Sequence, residues 1–184
     1  MFIQTEETPN PATIKFLPGQ TILEDGTMDF TSSANSSNSP LALRLFGIVG
    51  VTRVFFSGNF VSVSKADDTD WSMLKPMVLA VLMEHLSTGQ PIILQSVEAQ
   101  GEEQVDDEIT AQIKELLDER VRPMVAMDGG DIVFDRFEDG IVYLQMRGAC
   151  SGCPSSTATL KVGIENMLKH YLPEVIEVRP AQEY

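Results

Sequence analysis

The chain has only two cysteines, Cys150 and Cys153, separated by two residues in Gly148-Ala-Cys-Ser-Gly-Cys-Pro-Ser-Ser156. Thiols at that spacing can grip one metal centre or close into a reversible disulfide. Gly148 and Gly152 would let the backbone bend tightly around whatever the thiolates hold. Pro154 suits the first position of a helix, since it has no N–H to lose. A helix starting there would set its positive end beside both sulfurs and favour their thiolate forms. Two elements must position this loop. An apolar run from Ile141 to Met146 leads in, and a helical pattern leads out from about Ser155.

Upstream stands Met127-Asp-Gly-Gly-Asp-Ile132, followed by a hairpin and then the cysteine nonapeptide. A bare C-x-x-C says little, but the nonapeptide with a Gly-Gly turn at this distance is specific. From about Asp106 to Pro180 the chain resembles the C-terminal domain of the NifU-like (Nfu) iron–sulfur proteins. A separate stretch is similar to the N-terminal domain of the same family. It runs from Thr8-Pro-Asn-Pro11 through Leu45-Phe-Gly-Ile-Val-Gly-Val51 to Val54-Phe-Phe56 and Phe60-Val-Ser-Val63. The resemblance implies an assembly or transfer protein that holds a [4Fe–4S] cluster between two subunits on Cys150 and Cys153. It also separates the chain from nitrogen-fixation scaffolds whose N-terminal domain holds further cluster cysteines, for this half has none.

The count of ligands agrees. A [4Fe–4S] cluster is typically held by about four cysteine thiolates. One chain offers two, and neither His85 nor His170 lies near them in sequence. The simplest closure is a symmetric homodimer in which each copy supplies Cys150 and Cys153. Four thiolates fit a [2Fe–2S] cluster equally. Three rival readings stand beside this one. A thioredoxin-like dithiol oxidoreductase would cycle Cys150 and Cys153 as a monomer without iron, although here the proline follows the second cysteine. A structural zinc could be shared by two chains. An adaptor with incidental cysteines would bind no metal at all.

The whole chain bounds the partners. Its 184 residues suit two small domains. The net charge is −14, with 9 acids and 5 bases in residues 1–95 against 18 acids and 8 bases in residues 96–184. Phosphate neutralisation needs a basic face, so nucleic acid is not an expected partner. Donor and client proteins of cluster assembly are the expected ones. No apolar run reaches membrane-spanning length. The acidic start, Met1 to Asn10, reads as neither signal nor transit peptide. The expected compartment is the cytoplasm of a bacterium, and a processed mitochondrial protein would look the same.

The expected fold class is α+β in two domains, 1–88 and 108–184, joined by an acidic flexible linker over 89–107. In the first, Phe2 to Glu6, Ala12 to Leu17, Val51 to Phe56 and Phe60 to Ser64 read as strands. About four antiparallel strands should carry two helices on one face. These helices are Leu41 to Phe46, capped by Ser39-Pro40, and a stripe of Leu74, Met77, Val78, Val81, Leu82, His85 and Leu86. Thr31 to Ser39 reads as a low-complexity loop with nothing that packs. His85 reads as a satisfied or partly exposed side chain.

In the second domain the expected order is α-β-β-α-β. Asp106 or Asp107 caps a helix whose apolar face is Ile109, Ile113, Leu116, Leu117 and Val121, and Pro123 should kink or end it. Asp128 to Asp131 forms a sharp reversal, and the two aspartates read as turn formers rather than metal ligands. The hairpin Ile132–Phe137 and Ile141–Arg147 delivers the chain to Cys150. Leu160, Ile164, Met167, Leu168 and Tyr171 mark the next helix, and Val175 to Val178 a last strand. Arg147 lies close enough in sequence to lend positive charge to an anionic cluster.

Overall fold

The computed structural model describes residues 2–94, 107–152 and 154–181. The chain divides into two compact units, 1–99 and 100–184. Most of the expected acidic linker lies outside the described residues. Its first part does not behave as a tether, because Ile92 and Ile93 pack against the core of the first unit and Leu94 N donates to Asn38 O at 2.7 Å.

The first unit is a five-stranded antiparallel sheet ordered β1-β2-β5-β4-β3. Its strands are β1 (Gln4–Glu7), β2 (Thr13–Leu17), β3 (Met28–Phe30), β4 (Val51–Phe56) and β5 (Val61–Lys65), with helices α1 (Pro40–Phe46) and α2 (Trp71–Ser87). Alternation sends Ile14, Phe16, Val54, Phe56, Val61 and Val63 to one face, where they meet Leu41 and Leu45 of α1 and Leu74, Val78 and Leu82 of α2. Phe55 and Phe60, though buried, stand outside that cluster and pack on each other with ring centroids 5.9 Å apart.

The sequence reading missed β3. Arg53 of β4 reaches across to it, its Nε donating to Asp29 Oδ1 at 2.8 Å. The stretch Thr31 to Ser39 also corrects expectation. It holds a 3₁₀ turn, Ser33–Ser36, and Ser36 and Ser39 are fully buried. Burial is tolerable because both hydroxyls are satisfied. Ser36 Oγ donates to Ser32 O at 2.8 Å. Ser39 Oγ accepts from Ala42 N at 3.1 Å and donates to Ile92 O at 2.7 Å.

The second unit is a three-stranded sheet, β6 (Gly130–Glu138), β7 (Ile141–Gly148) and β8 (Glu177–Pro180), in that order. β6 and β7 form an antiparallel hairpin, and β8 runs parallel to β7. A parallel neighbour needs a crossover, here α5 (Pro154–Tyr171). Before the sheet come α3 (Glu108–Leu116), a π-helical turn (Leu117–Val121) and α4 (Arg122–Met127). Asp107 caps α3 by accepting from Thr110 N at 2.8 Å. Pro123 has no N–H for an ordinary turn, and the π turn sits immediately before the helix it opens. Ile113, Leu117, Val121, Val125, Ile132, Val142, Leu144, Ile164, Leu168 and Val178 close the core, with Cys150 at its margin. Tyr171 departs from the expected stripe. It is 46% exposed, with the Arg120 guanidinium 5.0 Å from its ring centroid. The two-domain α+β class is as expected.

Candidate metal centre

β7 runs straight into the cysteine loop. Its last residue, Gly148, pairs with Gly130, the first residue of β6, so the loop starts beside the Gly129-Gly130 turn. Gly129 and Gly148 both have positive φ, 81° and 61°, a region that favours glycine. Ala149 N donates to Gly129 O at 3.2 Å and Ser151 N to Gly148 O at 3.1 Å. Thr157, in the first turns of α5, donates its hydroxyl to Cys150 O at 3.1 Å. The loop is therefore tied to the turn on one side and to the outgoing helix on the other.

Gly130 has a different reason to be glycine. A Cβ there would sit 2.5 Å from Cys150 Sγ, 2.7 Å from Arg147 O and 2.9 Å from Cys150 N. Its bare Cα is the wall against which the sulfur rests.

Cys150 is a free thiol, 8% exposed. Burial, followed by the charges of Asp128 and Asp131, pushes the thiol up to about 12. This overturns the expectation that the helix end would favour its thiolate. Removal from water is the larger cause, and the two nearby carboxylates add to it. Cys153 lies outside the described residues, so the pair is described from one side. Among the described residues no three His, Cys, Asp or Glu side chains gather as a metal-holding group.

The acids at the turn have separate fates. Asp128 is exposed and ends α4. Asp131 is 3% exposed and accepts a forked pair of bonds from Arg122, Nε to Oδ1 at 2.9 Å and Nη2 to Oδ2 at 3.0 Å. It also accepts from Ile132 N at 2.8 Å. Asp131 is therefore a buried strand residue of β6 paired with a guanidinium, and not the turn former expected; of the two acids only Asp128 sits in the turn. The sequence reading missed Arg122, and a basic residue ahead of Pro123 was its only signal. Arg147 lies opposite Asp131 in the hairpin and donates to Gln145 Oε1 at 3.2 Å. His170 ends α5 against Tyr171, ring centroids 5.0 Å apart. His85 belongs to the first unit and is fully buried. Its Nε2 lies 3.2 Å from Pro91 O, while its Nδ1 has no hydrogen-bond partner among the described residues.

Comparison with known proteins places both units. Residues 3–89 match the family model "Scaffold protein Nfu/NifU N terminal", and residues 113–179 match "NifU-like domain". The human protein "NFU1 iron-sulfur cluster scaffold homolog, mitochondrial" is 51% identical over 179 residues, covering 95% of this chain and 70% of that protein. "NifU-like protein 5, mitochondrial" of Arabidopsis thaliana is 51% identical over 181 residues, covering 95% of this chain and 66% of that protein. The chain thus spans roughly two thirds of the length of these relatives. A solution structure of a Saccharomyces cerevisiae NifU-like protein aligns with 52% of this chain and 87% of its own, at 24% identity and a TM-score of 0.47.

Proposed function

Starting from the fact that the chain belongs to the Nfu/NifU scaffold family, we propose that it carries iron–sulfur clusters. The cargo is a [4Fe–4S] cluster bound by Cys150 and Cys153 of each of two copies. The chain receives it from an assembly donor and passes it to apo clients. Its work is ligand exchange at thiolates and not turnover of a substrate. The observation that carries the reading is the Cys150 loop, pinned between the Gly129-Gly130 turn and the first turns of α5. A cargo held at a subunit interface is easier to give away than one caged inside a fold. Two compartments suit this role, the bacterial cytoplasm and the mitochondrion named for the relatives.

The dithiol reading is weaker. Nucleophilic attack needs an accessible thiolate, and the Cys150 thiol is buried. A metal centre instead displaces the proton on binding.

The test is anaerobic reconstitution with iron and sulfide, followed by quantitation on a sizing column with light scattering. The expected result is about four irons and four sulfides per dimer, with loaded protein at twice the monomer mass. Cys150→Ser and Cys153→Ser should each abolish uptake. A metal-free monomer that reduces disulfides would replace the carrier with an oxidoreductase. Zinc without sulfide would make the site structural.

A further inference from the structure

The wall behind Cys150 is built from Gly130, and the next residue is a buried carboxylate. Asp131 is 3% exposed and follows directly on the glycine whose Cα bounds the sulfur. An unpaired anion there would oppose an anionic cargo. The guanidinium of Arg122 lies against it. Pro123 and the preceding π turn place Arg122 at the start of α4. From there it spans both Asp131 oxygens at 2.9 and 3.0 Å and holds Asp118 at 3.1 Å with its remaining nitrogen. Two parallel bonds fix a carboxylate in orientation as well as charge. The fork therefore anchors the first residues of β6, which are the residues that bound the sulfur.

We propose that Arg122 is a positioning residue for the cluster site: its fork neutralises Asp131 and fixes the start of β6, so that Gly130 presents a flat and uncharged wall to Cys150. The claim rests on the carrier reading for its consequence, but its geometry can be tested on the empty chain.

The experiment compares the full-length wild type, Arg122→Met, Arg122→Lys and the double variant Arg122→Met/Asp131→Asn. Two quantities are read. One is the half-life of the reconstituted cluster, followed by its visible absorbance under a chelator. The other is hydrogen exchange at the Ala149 amide of the empty protein, whose bond to Gly129 O reports the loop. Arg122→Met should shorten the half-life about tenfold, the scale of one uncompensated charge in a partly buried site, and should speed the exchange. Arg122→Lys keeps the charge without the fork and should fall between. Adding Asp131→Asn to Arg122→Met should recover the part of the half-life lost to the stranded charge, while exchange at the Ala149 amide stays fast because the fork is still missing. If the second substitution leaves cluster loss unchanged or worsens it, the pair is only structural and the proposal fails. It fails equally if Arg122→Met keeps the wild-type half-life and exchange. Should the wild type take up no cluster, the carrier reading falls, and the amide exchange alone still decides whether Arg122 positions the loop.

Discussion

Gly130→Ala is the sharpest perturbation the geometry offers. The added methyl would meet Cys150 Sγ at 2.5 Å, Arg147 O at 2.7 Å and Cys150 N at 2.9 Å. Two of those three atoms are backbone, so no side-chain rotation relieves the overlap. Overpacking of this kind costs about 1–3 kcal/mol, and this site belongs near the top of that range. Alanine recovers about 0.5–1 kcal/mol by restricting the unfolded chain, which leaves a net loss of about 2 kcal/mol. In a domain of this size that lowers the melting midpoint by roughly 8–16 °C.

The natural control is Gly163→Ala. It lies within α5, and a Cβ there meets nothing within 4 Å. It should stabilise by about 0.5–1 kcal/mol, the ordinary gain of alanine over glycine in a helix. The two units can be watched separately, since the only tryptophan, Trp71, lies in the first unit. Circular dichroism should show the second unit melting earlier in Gly130→Ala and later in Gly163→Ala, with the Trp71 fluorescence transition unmoved in both. Iron content after reconstitution should fall only in Gly130→Ala. A Gly130→Ala chain that melts and loads like wild type would refute the claim that bare Cα packs against sulfur.

Three further outcomes follow from single residues. Burial holds the His85 imidazole below its ordinary pKa, against the opposing pull of the Pro91 and Gln90 carbonyls. The folded unit therefore binds fewer protons than the unfolded chain, and its stability is full above about pH 6.5 and lost as pH falls below it. Denaturant titrations followed by Trp71 fluorescence from pH 8 to pH 5 should show this loss in wild type and a flatter profile in His85→Phe. Ser39→Ala removes the cap on Ala42 N and orphans the Ile92 carbonyl. It should cost about 1–2 kcal/mol in the same assay. Arg147→Ala should shorten cluster lifetime while leaving the melting of the second unit unchanged, and an unchanged lifetime would remove Arg147 from the site.

What the sequence made legible was what its local order encodes. The β6–β7 hairpin, the strands β4 and β5 and the faces of α2, α3 and α5, apart from the exposed Met77 and Tyr171, follow from apolar spacing. The cysteine loop follows from glycine, proline and thiol placement. What stayed hidden depends on partners distant in the chain. β3 is only Met28-Asp-Phe30, too short to show alternation, and it gains its place by pairing with β4. Ser39 reads as a helix cap, but nothing nearby announces the Ile92 carbonyl, 53 residues on, that it also satisfies. Arg122 and Asp131 are nine residues apart across a helix and a glycine turn, and no periodic rule joins them.

The thiol shows the same limit at the site itself. Local sequence displays a proline-led helix end, which favours thiolate. The fold adds burial and two carboxylates, which oppose it and prevail. For a carrier this opposition has a use. An empty Cys150 stays protonated and withdrawn from solvent, poorly placed for stray oxidation or disulfide exchange. A loaded site holds an anionic cargo against acidic neighbours, so the same carboxylates that protect the empty thiol weaken the grip on the cluster. Arg122 limits that repulsion from Asp131, whereas Asp128, exposed at the end of α4, retains its share. If the chain carries a cluster as proposed, the balance between those two acids would set how readily it leaves. On this reasoning Asp128→Asn should lengthen the lifetime of the bound cluster and slow its transfer to an apo acceptor, both read by visible absorbance. A variant that holds its cluster no longer than wild type would show that the acidic flank plays no part in release.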